Sequence, residues 1–548
     1  MSDPHYLREA EKYESPIPSR EHILSFIQKR PKSKRQLFEL LSIEDEQKKA
    51  FERRLRAMVR DKQLSCNKSG VYRPFSNRGL LSGTIIATPK GVGFVSLDKG
   101  GKDLRLSSQQ MKLVFHGDKV KVRLLNRKLD AEIVQVTESV KTLVGRLHIN
   151  QDECYVVVDD RRIKHEIDIV ELIEGCVDNQ VVVIEVLNSP TLEKNATGKV
   201  TSIIGNYLDE GVEVDSAIHR HGIPANFGDK TLEESAKLPN KVLSKDKKGR
   251  VDLTNLELVT IDGEDSRDFD DAVYATPTKK GWKLIVAIAD VSHYVKERSN
   301  LDAESFERGN SVYFPHRVVP MLPEAISNGL CSLNPGVERL CVVCEMEIDS
   351  LGSLIDYKFY SAVMLSHARL TYTEVDEMLE NKTSKLRKKY KNIESNVDFL
   401  YGLYQTLRIS RQKRGVMDFD RIESQILFDD QGKIENIVAR KRNDAHRLIE
   451  ECMLMANQAA AKYLQKENED FLYRVHPRPT PEKVEVTRQF LTAIDLRLDG
   501  GLEPDSSDFA KLLKNAAGRE DENIIKTVVL RTMKQATYTP KNEGHFGL

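Results

Sequence analysis

At 548 residues the chain is too long for one hydrophobic core, because cores stop growing at roughly 250–300 residues, so several domains are expected. Hydrophobic residues at 40% and charged residues at 31% describe a globular chain, and no apolar run reaches the roughly 20 residues that a bilayer crossing needs, which excludes a helical membrane protein. Basic and acidic residues balance at 84 each, which excludes a uniformly basic nucleic-acid coat and leaves the sign of the charge to vary along the chain.

The first residues, MSDPHYLREAEKYESP, lack the apolar core of a secretion signal, so the seven cysteines are expected in a reducing, cytoplasmic setting. Residues 1–78 carry 18 Lys and Arg against 11 Asp and Glu. SREHILSFIQKR opens with a capping serine, and KSKRQLFELL and QKKAFERRLRAMVRDKQL continue at helical spacing before a glycine turn and VYRP. This pattern predicts a winged helix over residues 1–79, whose basic third helix suits either nucleic acid or a protein partner.

From Leu80 the texture changes to short alternating runs, GTIIATPKGVGFVSLD, KDLRLS, DKVKVRLL and DAEIVQVTE, which predict an OB-type cold-shock barrel over residues 80–140. Phe94 lies on a glycine-flanked strand there. It either stacks on a base or fills the barrel interior. LVGRLHI, CYVVVDD, HEIDIV, QVVVIEVL and ATGKVTSIIG predict a second OB-type barrel over residues 141–205, and two barrels in tandem imply a polymer ligand. Residues 206–250 read as a connector, and residues 251–548 mix strands with long helices as a larger α+β domain does. Cys341 and Cys344 form a CxxC, but on the predicted strand RLCVVCEMEI they face opposite ways, which fits buried thiols better than a zinc site.

The α+β region opens with VTIDGEDSRDFDDAVYA, in which Asp262, Glu264, Asp265, Asp268, Asp270 and Asp271 crowd six acids around one arginine, Arg267. Neighbouring carboxylates in a partly buried loop raise one another's pKa, so a cation is required. Read as an extended segment, RDFDDAV points Asp268 and Asp270 to one side, with Asp271 joining through a bend. An EF-hand is excluded because neither register puts glycine and ligands at the needed positions, and zinc because His and Cys are absent. All-oxygen ligation points to magnesium, with manganese as the alternative, and hence to phosphoryl chemistry. Beside nucleic-acid-binding barrels, the economical substrate is a phosphodiester of RNA.

This motif, followed by VAIADVSHYV, by RGNSVYFPHRVVPMLPEAISNGLCSLNPGVERL and by KRNDAHRLIEECMLMANQ, resembles the RNB family of exoribonucleases, over essentially the whole chain. The resemblance implies processive, magnesium-dependent 3′→5′ hydrolysis of RNA to nucleoside 5′-monophosphates at a metal site formed by Asp262, Asp268, Asp270 and Asp271, of which Asp270 is the most sensitive, and since a channel for a thin strand needs no symmetry a monomer is expected. It further implies that Tyr313 packs at the terminal nucleotide and sets where cleavage stops, that Phe419 sandwiches the last bases, and that Glu450 or Glu451 lies near the end nucleotides. The family continues past NEGHFGL into paired arginines and a further RNA-binding barrel, so the expectation is a chain truncated at Leu548, with catalysis compromised by the missing arginine. Two other readings are carried forward: a non-catalytic protein that binds or remodels RNA, and a magnesium-dependent phosphatase of small molecules, which leaves the barrels unexplained.

Overall fold

The computed structural model describes residues 3–11, 16–61, 63–66, 70–74, 80–125, 129–150, 153–315, 317–417, 423–429, 432–440 and 442–547, and the chain divides into two compact units, Met1–Arg220 and His221–Leu548.

The first unit begins with α1 (Tyr6–Ala10), α2 (Arg20–Lys29), β1 (Lys32–Ser33), α3 (Lys34–Leu40), α4 (Lys48–Arg60), β2 (Leu64–Cys66) and β3 (Val71–Pro74). Ser19 starts α2 as the sequence predicts, its hydroxyl accepting from the His22 N–H at 3.2 Å. On α4, Phe51, Leu55 and Met58 recur at helical spacing and bury against Ile23, Ile27, Leu37 and Leu64. The three strands form a small antiparallel sheet in the order β1-β3-β2.

Then come β4 (Leu81–Ala87), β5 (Gly93–Leu97), β6 (Leu104–Leu106), α5 (Ser108–Met111), β7 (Lys119–Leu124) and β8 (Ala131–Glu138). They form a five-stranded sheet, order β6-β5-β4-β7-β8, whose two edges meet at a parallel bridge between Arg105 and Asp130. A closed barrel follows, built from β9 (Thr142–Ile149), β10 (Cys154–Val158), β11 (Glu166–Glu171), β12 (Gln180–Asn188) and β13 (Ala196–Asn206). One device recurs in both. A Cβ on Gly83 would overlap the Ser96 carbonyl, and a Cβ on Gly145 would overlap the Val157 carbonyl, so each opening strand bends tightly over its neighbour only because it carries glycine there. Between the two, buried Asp118 accepts from the Phe115 and Val140 N–H groups and from the Ser139 hydroxyl. Helix α6 (Val212–Arg220) places Val212 against Val144, Val181 and Val183 of the closed barrel.

The second unit contains α7 (Asp229–Ala236) and a sheet made from β14 (Val251–Leu253), β15 (Val259–Asp262), β16 (Asp271–Thr278) and β17 (Gly281–Ala289). The chain continues through α8 (Val291–Tyr294), α9 (Asn300–Arg308), the short pair β18 (Val312–Tyr313) and β19 (Val318–Val319), then β20 (Glu338–Asp349), β21 (Leu354–Leu365) and β22 (Ala368–Thr371). The sheet order is β14-β21-β20-β17-β16-β15-β22, with parallel pairs only at the two edges. One face packs on α10 (Tyr372–Glu380), α11 (Lys385–Lys389) and α12 (Glu394–Lys413), then, after the ribbon β23 (Glu423–Phe428) and β24 (Ile434–Arg440), on α13 (Asp444–Lys466). Cys344 lies in the core on that face and Cys341 in the core on the other, so the CxxC is split by the sheet as strand alternation requires. The chain ends with β25 (Tyr473–Val475), α14 (Pro481–Thr492), α15 (Ser506–Ala516), α16 (Glu522–Thr532) and β26 (Thr537–Thr539), the three helices sharing their own core. Among the described residues, no helix is long and apolar enough to cross a membrane.

Candidate active site

Strand β15 delivers Asp262 at its C-terminal end and β16 takes up the chain again at Asp271, so the acidic stretch is a tight connection between neighbouring strands of the central sheet. Residues 263–270 form a loop. Phe269 is buried in the core and Asp268 and Asp270 on either side of it are more accessible, which is the alternation read from the sequence, although regular strand pairing starts only at Asp271.

Each carboxylate has a distinct setting. Asp262 accepts from the Gly263 N–H at 2.7 Å and from the Ser266 hydroxyl at 2.9 Å. Asp268 accepts from the Tyr313 hydroxyl at 3.1 Å. Asp270 is reachable by solvent yet ringed by protein, so desolvation, followed by the charges of Asp268 and Asp262, raises its pKa. Asp271 is deeper, and desolvation together with Asp262 and Asp270 pushes it up to about 6. Among the described residues no basic group offsets the shift at either position. The same negative field, after desolvation, raises Tyr372 to about 12, and the Tyr372 ring stacks on His446 at 3.9 Å. Arg369 donates to the carbonyls of Glu264 and Ser266.

Among the described residues no three carboxylate, imidazole or thiol groups already converge as a metal cage. The donor set fits a hard cation: it is all oxygen, uncompensated by basic groups among the described residues, and partly desolvated.

The other residues singled out in the sequence divide. Tyr313 is 65% exposed with its hydroxyl on Asp268, so its ring stands at the rim of the acidic loop. Glu451 is buried and bound to Arg411 at 2.6 Å, whereas Glu450 is more accessible and pairs with Arg442 and Arg411. Phe419 lies outside the described residues. Phe94 is half-exposed between buried Gly93 and Val95, opposite Ile86 and Arg105, and so sits on the outer face of its sheet and not in the interior. Sequence reasoning missed Tyr372 and Ser332, which reach the site from elements 60 to 100 residues away and carry no local pattern.

Residues 250–548 match the RNB domain, residues 155–228 a cold shock domain and residues 83–134 the ribonuclease B OB domain. Ribonuclease R of Vibrio cholerae is 45% identical over 560 residues, covering 100% of this chain and 68% of that protein. Ribonuclease R of Escherichia coli is 45% identical over 556 residues with the same coverage. Among solved structures, Mycoplasma genitalium RNase R in complex with ribose-methylated single-stranded RNA superposes with a TM-score of 0.79 at 27% identity, covering 85% of this chain and 75% of that one. A yeast pseudonuclease, at 16% identity and a TM-score of 0.62, covers 86% of this chain and 66% of that one, and shares the fold alone.

Proposed function

The chain belongs to the RNB family of exoribonucleases and hydrolyses RNA from its 3′ end, and from that premise we propose that Asp262, Asp268, Asp270 and Asp271 hold two magnesium ions at the scissile phosphodiester. Dependence on a divalent metal belongs to the family; magnesium, with manganese as a substitute, is the choice that an all-aspartate donor set favours. The observation that carries the reading is the gathering of Asp262, Asp268, Asp270 and Asp271 at one connection between β15 and β16, where none of them forms an ion pair with a basic side chain among the described residues. When bound, the ions would activate a water and stabilise the leaving oxygen of an in-line displacement.

The chain's own groups have separable tasks in this proposal. Asp271 supplies the most desolvated oxygens, Asp270 stands at the solvent side, and Ser266 and Tyr313 orient Asp262 and Asp268. The exposed ring of Tyr313 packs at the terminal nucleotide and sets where cleavage stops, Phe419 sandwiches the last bases, and Glu450, the more accessible of the glutamate pair, contacts the RNA end. Phe94 offers an outward aromatic face for base stacking. The substrate is single-stranded or structured RNA, degraded processively to nucleoside 5′-monophosphates by a cytoplasmic monomer. Residues 1–79 act as a winged helix toward nucleic acid or a protein partner, 80–140 and 141–205 as barrels, 206–250 as a connector and 251–548 as the catalytic domain.

Incubating a 3′-labelled single-stranded RNA with magnesium tests the proposal. Mononucleotide release by the wild type and none by Asp270→Asn supports it. RNA binding without release by either protein would instead assign a non-catalytic, RNA-binding role.

A further inference from the structure

Asp268 and Asp270 flank Phe269, and the backbone of Phe269 is held at both ends by one short segment more than 60 residues away. Its N–H donates to the Ser332 hydroxyl at 3.0 Å, and its carbonyl accepts from the Leu333 N–H at 2.8 Å. The Ser332 hydroxyl in turn donates to the Arg267 carbonyl at 2.9 Å, so a single oxygen spans the backbone on both sides of Asp268. Ser332 is fully buried, and among the described residues no other side chain hydrogen-bonds the backbone of residues 267–270. Behind it stands Arg339, also buried, which donates to the carbonyls of Ser332 at 2.8 Å, Gly329 at 2.9 Å and Glu338 at 3.0 Å, and forms no ion pair among the described residues. A buried guanidinium spent on three carbonyls fixes the 329–333 segment, and that segment fixes the loop.

We propose that Ser332, buttressed by Arg339, is a positioning residue that sets the spacing of Asp268 and Asp270 for metal binding. This rests on the metal-site reading above. The physical need is clear: the two carboxylates repel across a single intervening residue, and a loop anchored only at its strand ends would let them splay. Groups that orient metal ligands without touching the metal alter affinity by roughly 10–100-fold when removed.

Calorimetric titration of Mn2+ onto the intact chain tests this, with Ser332→Ala, Ser332→Cys and Asp270→Asn beside the wild type. Ser332→Ala is expected to bind Mn2+ at least about 10-fold more weakly, with its half-activating Mg2+ concentration raised to match. The KM for RNA at saturating Mg2+ and the RNA affinity in chelator should stay at wild-type values. Ser332→Cys fills the same space with a poor hydrogen-bonding group and should weaken Mn2+ binding as well; it carries the test if the alanine variant does not fold. Wild-type Mn2+ affinity in a folded Ser332→Ala or Ser332→Cys chain would overturn the proposal. Absence of Mn2+ uptake by the wild type would instead overturn the metal-site reading beneath it.

Discussion

At the residue scale, the acidic loop keeps carboxylates that no basic side chain pairs with among the described residues. Asp271, pushed up to about 6, is more easily protonated in the folded chain than in the unfolded one, so in the metal-free protein it favours folding below about pH 4 and that contribution is lost as pH rises through about 6. Metal-free melting temperatures should therefore fall across this window. Asp271→Asn should flatten the fall and stabilise the metal-free chain at pH 7 by about 1–3 kcal/mol, as read by thermal denaturation in chelator, while abolishing hydrolysis. The two adjacent glutamates separate in the same way. Glu451→Ala leaves half-buried Arg411 with Glu450 at 3.5 Å and should cost roughly 1–3 kcal/mol of stability on denaturant unfolding. Glu450→Ala should leave the unfolding midpoint in place and raise the KM for RNA. Tyr313→Phe removes the hydroxyl from Asp268 but keeps the ring, so it should lower kcat without changing the length of the end products, whereas Tyr313→Ala should lengthen them on a sequencing gel. A sequence could nominate these residues only through family resemblance, because nothing near Tyr313 or Glu450 in the chain signals a carboxylate loop 40 or 180 positions away.

At the element scale, alternation and capping were good guides. Every strand of the closed barrel and the helix after Ser19 lie where their patterns predict, because burial of one face is a local signal. The loop 263–270 escaped that logic. Asp-Phe-Asp alternates as a strand does, but the register is set from outside, by Ser332, Leu333 and the Ala289 N–H on the Asp270 carbonyl. Tertiary anchors of this sort leave no periodic trace. The same holds for Gly402 on α12, where a Cβ would meet the Trp282 ring at 2.7 Å: the glycine sits within an unremarkable helical pattern, and only the fold gives it a reason. Gly402→Ala should destabilise the second unit by about 1–3 kcal/mol, measured as a lower denaturant midpoint with unchanged Mn2+ affinity in the chains that remain folded.

At the scale of the whole molecule, binding and hydrolysis are assigned to different parts of one chain. The balanced total charge hides a basic first segment and an acidic loop in the central sheet. RNA contacts outside the metal site should thus fail separately from chemistry: Phe94→Ala is expected to weaken the binding of long single strands by about 1–3 kcal/mol and to leave the kcat of a saturating short oligomer unchanged. The measurement that reaches the central claim most directly is the electron paramagnetic resonance signal of free Mn2+ titrated with the intact protein. The signal should be quenched by the wild type and persist with the variant carrying asparagine at 262, 268, 270 and 271. Equal quenching by both proteins, or none by the wild type even with an RNA end present, would contradict it.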